Sequence, residues 1–332
     1  MQKIAVLGAG SWGLALALLL NENHHEVTIW CFDEKEKETI LAHRENKRCL
    51  PGIKIPVEID LTTSLQEAVE GKAIVVTAVP SKALRQTMVQ TKPYLDKETI
   101  IVNVSKGIEI DTCYRLSEVI QDVVDNEVVV LTGPSHAEEV ARHMPTTIVA
   151  SSKNSVCAQK IQDAFMTQYF RVYTNTDVVG VELGGALKNV IALAAGVVEG
   201  LGYGDNTKAA LMTRGIAEMM RLGIAMGGEP TTFAGLTGIG DLIVTCTSGH
   251  SRNRHAGELI GQGYSLEEAI QKVNMVVEGI PTTKAAYQLM QKYEVEMPII
   301  ETIYKGLFEE LSIKEAVNEL MNREKKIETF EE

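Results

Sequence analysis

Four stretches of the sequence carry residue types whose spacing could do chemistry. The first is Gly8-Ala9-Gly10-Ser11-Trp12-Gly13, a GxGxxG pattern. Between a strand and a helix, its first glycine permits a tight turn, the second lets backbone approach a pyrophosphate, and the third allows close packing, while the helix N-terminus favours the anion. A glycine-rich turn with no ligand is the plain alternative. After the next strand-like run come Cys31, Phe32 and Asp33. An acid there favours NAD by bonding the adenosine ribose, and an arginine favours the 2′-phosphate of NADP. Asp33 stands a little late for the first role and Lys35 and Lys37 could serve the second, so both cofactors remain open.

The second stretch runs from Leu183 to Gly196, where Lys188 is the only charge between Glu182 and Glu199. At helical spacing its face carries Gly184, Gly185, Ala192 and Ala195, a shallow small-residue groove. Burial would lower a lysine pKa from about 10.4 toward neutrality, as a proton-transferring group requires. The alternative is a structural lysine that snorkels outward from a closely packed helix. Asp241, in Gly235-Leu236-Thr237-Gly238-Ile239-Gly240-Asp241, is the only carboxylate between Glu229 and Glu258. Two isolated opposite charges in apolar surroundings tend to be partners, so Asp241 is expected to position Lys188, with helix or turn capping as its plainer use.

The third stretch, Ser251-Arg252-Asn253-Arg254, is a basic loop ahead of a helix expected from about His255, and reads as a phosphate receptor or a solvated loop. The fourth comprises two loops after strands, one holding Lys106 and one running Gly133-Pro134-Ser135-His136-Ala137-Glu138. Ser135 and Glu138 have the spacing of a capping box. The seven histidines form no metal-ligand pattern, so no metal is expected.

The elements that must hold these residues follow from apolar patterning. Runs at 4–7, 27–30, 73–79, 99–104 and 128–131 are continuous and β-branched, which suits strands buried on both faces of a parallel sheet. The amphipathic segments between them read as crossover helices, giving an α/β, doubly wound Rossmann-type sheet. Beyond residue 179 long helical patterns take over: 181–199, 207–226, 256–261, 266–272, 282–292 and 298–308. The expectation is a dinucleotide-binding domain at 1–179 and a mostly α-helical substrate and catalytic domain at 180–332, ending in a charged tail from Glu324.

Composition narrows the partners. The 332 residues hold 32 Lys plus Arg against 44 Asp plus Glu, a net charge of −12, which argues against general attraction to nucleic acid or an anionic membrane. Five scattered cysteines without ligand spacing suit a reducing compartment. The uncharged run 4–20 imitates a signal peptide, but glycines interrupt it and polar residues replace a cleavage site, so a cytoplasmic protein is expected. Apolar surface in the helical half is compatible with a homodimer.

Taken in order, GAGSWG, NVSKGIE, LTGPSHAEEV, VELGGALKNVIALAAGVVEGLGYGDNTKAAL, GLTGIGDLIVTCTSGHSRN and VVEGIPTT closely resemble the NAD(P)-dependent glycerol-3-phosphate dehydrogenase family of bacterial type, over almost the whole chain. The resemblance implies interconversion of sn-glycerol 3-phosphate and dihydroxyacetone phosphate with NAD or NADP, supplying glycerol phosphate for phospholipids. It implies cofactor contacts at Ser11, Trp12, Phe32, Lys106, Ala137, Arg252, Val276 and Glu278. Substrate contacts fall on Lys106, Gly133, Ser135, Lys188, Asp241, Ser251, Arg252 and Asn253, with Lys188 as proton acceptor and Lys106 and Asn189 stabilising charge. Cys31-Phe32 lacks the basic residue that many relatives place after the second strand, which argues against strong NADP preference. A related two-domain hydroxy- or oxo-acid dehydrogenase is the other enzyme reading, and a nicotinamide-sensing protein without turnover the non-enzyme one.

Overall fold

The computed structural model describes residues 1–309, 311–325 and 328. Most of the expected charged tail therefore lies outside the described residues. The chain divides into two compact units, Met1–Lys106 with Tyr114–Val178, and Gly107–Cys113 with Val179–Glu332.

In the first unit the order is β1 (Lys3–Leu7), α1 (Ser11–Glu22), β2 (Glu26–Trp30), α2 (Glu34–His43), β3 (Asp60–Thr62), α3 (Leu65–Val69), β4 (Ile74–Thr77), α4 (Leu84–Thr91), β5 (Ile100–Asn103), α5 (Leu116–Gln121), β6 (Val128–Thr132), α6 (Ala137–Val140), β7 (Thr146–Ser151), α7 (Ser155–Phe165) and β8 (Phe170–Asn175). They build one eight-stranded sheet ordered β3-β2-β1-β4-β5-β6-β7-β8. Alternate strand residues feed two cores. Ile4, Val6, Val27, Ile29, Ile74 and Val76 pack with α1 and α7, whereas Ala5, Leu7, Val75 and Ile101 pack with residues of α3, α4 and α5. This two-sided burial is why the strands read as unbroken apolar runs. Strand order reverses between β1 and β4, the switch point at which open α/β sheets bind ligands.

Three strands escaped the sequence reading. β3 has only three residues, and β7 runs antiparallel to β6, so the expected all-parallel sheet is mixed. At the edge, β8 buries Phe170 and Val172 but exposes Arg171 and Tyr173, the alternation of a strand covered on one face.

The second unit contains α8 (Val178–Gly200), α9 (Asp205–Ala225), α10 (Pro230–Phe233), a π-helical turn (Leu236–Gly240), α11 (Asp241–Thr247), α12 (Arg252–Gly261), α13 (Leu266–Val273), α14 (Gly279–Lys292), α15 (Pro298–Phe308) and α16 (Ile313–Met321). α8 is long and apolar enough to cross a membrane, but 89% of its apolar window is buried, so it serves as the core of this unit. α12 crosses it at near backbone contact: a Cβ on Gly257 would collide with the Leu193 carbonyl, and one on Gly196 with the Arg254 carbonyl.

Candidate functional site

In the first unit the glycine-rich turn is built as the motif demands. Gly8 has φ +122°, and a Cβ there would stand 2.7 Å from the Ala78 carbonyl oxygen. A Cβ on Gly13 would collide with the Gly8 carbonyl, whereas one on Gly10 would meet nothing within 4 Å. Two glycines are thus required by the protein's own packing, and the middle one faces open space at the start of α1. A dinucleotide pyrophosphate fits that space, where the helix N-terminus favours an anion. The Ser11 hydroxyl donates to the Cys49 carbonyl (2.6 Å), and half-buried Trp12 packs against the core. Beyond β1, β2 and β4 opens a crevice of about 1010 Å³, lined in part by Trp30, Phe32, Asp33, Lys35, Arg48 and Pro80.

Phe32 is 85% exposed. Asp33 caps α2 by accepting from the Lys35 amide (3.0 Å), and Lys37 pairs with Glu34, so both have structural uses. On the neighbouring strand ends, Lys106 Nζ donates to the Gly133 carbonyl (3.1 Å), which also accepts from the Ser135 hydroxyl (3.0 Å). Ser135 is therefore turned away from the expected capping box, and α6 starts after His136 with no side-chain cap; Ala137, its first residue, is buried.

In the second unit Lys188 is 6% exposed and Asp241 1%. Lys188 Nζ donates to Asp241 Oδ1 (2.9 Å) and to the Thr245 hydroxyl (2.6 Å), and that hydroxyl donates to the Asp241 carbonyl (2.6 Å). Gly184 makes the meeting feasible, because a Cβ there would collide with the Thr237 carbonyl of the π-helical turn that leads into α11. Thr245 was not anticipated. Its position four residues after Asp241 puts both on one helical face, which was the available signal. Burying two charges is tolerated only with good pairing and further hydrogen bonds, and Thr245 supplies one.

Asn189, 4% exposed, accepts at Oδ1 from Asn253 Nδ2 (3.0 Å), and Asn253 Oδ1 accepts from the Gly279 amide (2.8 Å). The contact occupies the acceptor end of Asn189 and leaves its amide as the donor. α12 begins at Arg252, three residues earlier than expected, since the Ser251 hydroxyl accepts from the Arg254 amide (3.2 Å) as its N-cap. Arg252 is exposed. Arg254 instead faces inward, donating to the Ser248 carbonyl (3.0 Å) and pairing with Glu199 (2.8 Å). Val276 is 40% exposed, and Glu278 stands at the start of α14, its carbonyl accepting from Thr282. The expected residues thus fall into a Lys106, Gly133 and Ser135 group in one unit and a Lys188, Asp241, Asn189 and Asn253 group in the other. Among the described residues no group of His, Cys, Asp and Glu could hold a metal ion.

A doubly wound sheet with a glycine-rich first turn, followed by a helical unit around a buried lysine, defines a two-unit, dinucleotide-dependent oxidoreductase. The N-terminal model of NAD-dependent glycerol-3-phosphate dehydrogenase matches residues 3–158 and its C-terminal model residues 177–318, so the chain belongs to that family. It is 57% identical over 326 residues to a relative from Thermoanaerobacter sp. (98% of each chain) and 56% identical over 331 residues to one from Fusobacterium nucleatum (99% of each), both named glycerol-3-phosphate dehydrogenase (NAD(P)+). A solved glycerol-3-phosphate dehydrogenase from Coxiella burnetii is 38% identical with a TM-score of 0.94, over 97% of this chain and 99% of that one. D-Mandelate dehydrogenase, 15% identical with a TM-score of 0.61, shares the fold.

Proposed function

We propose that the protein interconverts sn-glycerol 3-phosphate and dihydroxyacetone phosphate, with NAD or NADP taking or giving the hydride, and so supplies glycerol phosphate for phospholipid synthesis. The observation that carries this reading is the buried Lys188–Asp241–Thr245 cluster in a chain of this family. In the reducing direction the Lys188 ammonium gives its proton to the substrate C2 oxygen as negative charge develops there. In oxidation a neutral Lys188 accepts the C2 hydroxyl proton. Asp241 and Thr245 orient the amine, and Asp241 favours its protonated form. The Asn189 amide, its oxygen being taken by Asn253, donates to the same oxygen, and the family resemblance adds Lys106 as a charge-stabilising residue.

Arg252 and the start of α12 bind the substrate phosphate, so that non-reacting binding energy orients C2. Asn253 and Ser251 act there mainly through structure, one fixing Asn189 and the other capping the helix. The Gly133 carbonyl holds Lys106 in place, and Gly133 and Ser135 complete the substrate contacts. Gly8, Gly10, Ser11, Trp12, Gly13, Phe32 and Ala137 bind the dinucleotide in the first unit, and the family resemblance adds Arg252, Val276 and Glu278 as cofactor residues. Five free thiols suit the reducing cytoplasm.

The test mixes protein with dihydroxyacetone phosphate and NADH or NADPH and follows loss of reduced-nicotinamide absorbance. Oxidation that depends on this substrate is expected. Cofactor binding without such oxidation would transfer the reading to another hydroxy- or oxo-acid dehydrogenase or to a sensor.

A further inference from the structure

Phe32 and Asp33, directly after β2, bring a dinucleotide no cation, and Lys35, exposed on the crevice wall, is the first one along the chain. Phe32 presents an exposed ring edge-on to Trp30, Asp33 caps α2, and Lys37 is paired with Glu34. Yet the crevice beside them has basic residues on another wall, in the turn that follows α2. Asn46 and Cys49 tie this turn to the glycine-rich loop: Asn46 Nδ2 donates to the Ala9 carbonyl (3.1 Å), and the Cys49 carbonyl accepts from Ser11 (2.6 Å). Asn46 Oδ1 closes the turn by accepting from the Cys49 amide (3.2 Å). Between these two anchors stand Lys47 and Arg48, both exposed and both lining the crevice. Glu36, from α2, accepts from Asn46 Nδ2 and from Arg48 Nη2 (both 3.3 Å).

Resting on the cofactor reading above, we infer that Glu36, Lys47 and Arg48 set the choice between NAD and NADP. The pyrophosphate is served by backbone at Gly10, so the cations of the anchored turn are left for an anion at the ribose edge of the crevice. Arg48 and Lys47 receive a 2′-phosphate when one is present, the guanidinium leaving Glu36 to do so. With NAD the Glu36 carboxylate accepts from the free ribose hydroxyl, the acid's ordinary role on this fold. One acid and one arginine in contact thus serve alternative ligands, and the exposure of Arg48 lets it move at small cost, since exposed ion pairs contribute little.

The experiment is calorimetric titration of the full chain, without substrate, with NADPH and NADH, and with adenosine 2′,5′-bisphosphate and AMP as short probes. In Arg48→Ala, and more so in the Lys47→Ala/Arg48→Ala double variant, the NADPH-to-NADH affinity ratio is expected to fall about tenfold or more, the scale of one charge-assisted contact. The two short probes should follow the same ratio, Arg48→Lys should recover part of it, and Glu36→Gln should move it toward NADPH. An unchanged ratio in the double variant, whether both nucleotides weaken or neither does, overturns the inference and leaves the cofactor reading standing. Wild-type protein that binds neither nucleotide overturns both.

Discussion

The turn after β1 and the lysine on α8, the two proposed sites, are built by opposite routes. Around Gly10 the first unit leaves room, and what it offers a ligand is backbone N–H groups any sequence possesses. Around Lys188 the second unit removes room, enclosing an ammonium and a carboxylate 53 positions apart within an apolar helix cluster. A backbone site tolerates changes that keep the turn and fails when a side chain fills its space. A buried pair resists nothing that touches either charge. The two regions should therefore break differently when mutated.

The largest effect is expected at the charged site. Replacing Lys188 by Ala removes the proposed proton-transferring group and should lower kcat about 10²–10⁴-fold, while NADH binding by calorimetry persists. Full activity in that variant would remove the lysine from the chemistry. Asp241→Asn tests the pair as a structural unit, because stripping one partner from a buried ion pair costs about 3–5 kcal/mol. Urea denaturation should show that loss, and Lys188→Met combined with Asp241→Leu should recover much of it. Additive losses in the double variant would mean the charges are not coupled.

At the backbone site the three glycines should separate by readout. Gly13→Ala drives a methyl into the Gly8 carbonyl and should cost about 1–3 kcal/mol of stability through overpacking. Gly10→Ala meets open space, so the denaturation midpoint should hardly move while dinucleotide affinity falls about tenfold, the equivalent of roughly 1.4 kcal/mol of lost approach. If Gly10→Ala binds NADH as wild type does, the space above it is not where the phosphates lie.

How far the sequence was legible follows the same division. Strands β1, β2, β4, β5 and β6 announce themselves because both faces of each are covered, and Lys188 and Asp241 because each is the lone charge of its neighbourhood. β3 is too short to show a pattern, and β8 has one wet face. α11 was hidden because the glycine-rich turn before it is π-helical, wound through Gly238 and Gly240 rather than looped. Local motifs misled where long-range partners outbid them: the Ser135 hydroxyl goes to the Gly133 carbonyl instead of capping α6, and Arg254 goes to Glu199 across the α8–α12 contact. Lys47 and Arg48 of the crevice come from beyond α2, and only the Asn46 and Ser11 hydrogen bonds reveal that this turn lies beside the glycine loop.

Another buried carboxylate in the helical unit, Glu218, sharpens the contrast, since it has no cation in ion-pair contact among the described residues. Glu218 on α9, 1% exposed, accepts from the Ile299 and Ile300 amides (2.7 and 3.1 Å) and so caps α15 from another helix. Burial raises its pKa to about 7, outweighing those two amides and the more distant positive charges of Arg221 and Arg323. Between the unfolded value of 4.5 and about 7 the folded chain holds a proton that the unfolded chain has released. Unfolding then releases that proton, so Glu218 contributes stability that is full below pH 4.5 and declines as pH rises through 7. Glu218→Gln keeps an oxygen for one amide and has no proton to lose. Urea denaturation of both proteins at pH 5, 6, 7 and 8 should show wild type losing ground to the variant across the first three values, with the gap constant thereafter. Parallel profiles would mean that the two amides hold Glu218 ionised throughout, making the α15 cap equivalent to a paired charge rather than a buried carboxylate that prefers its proton.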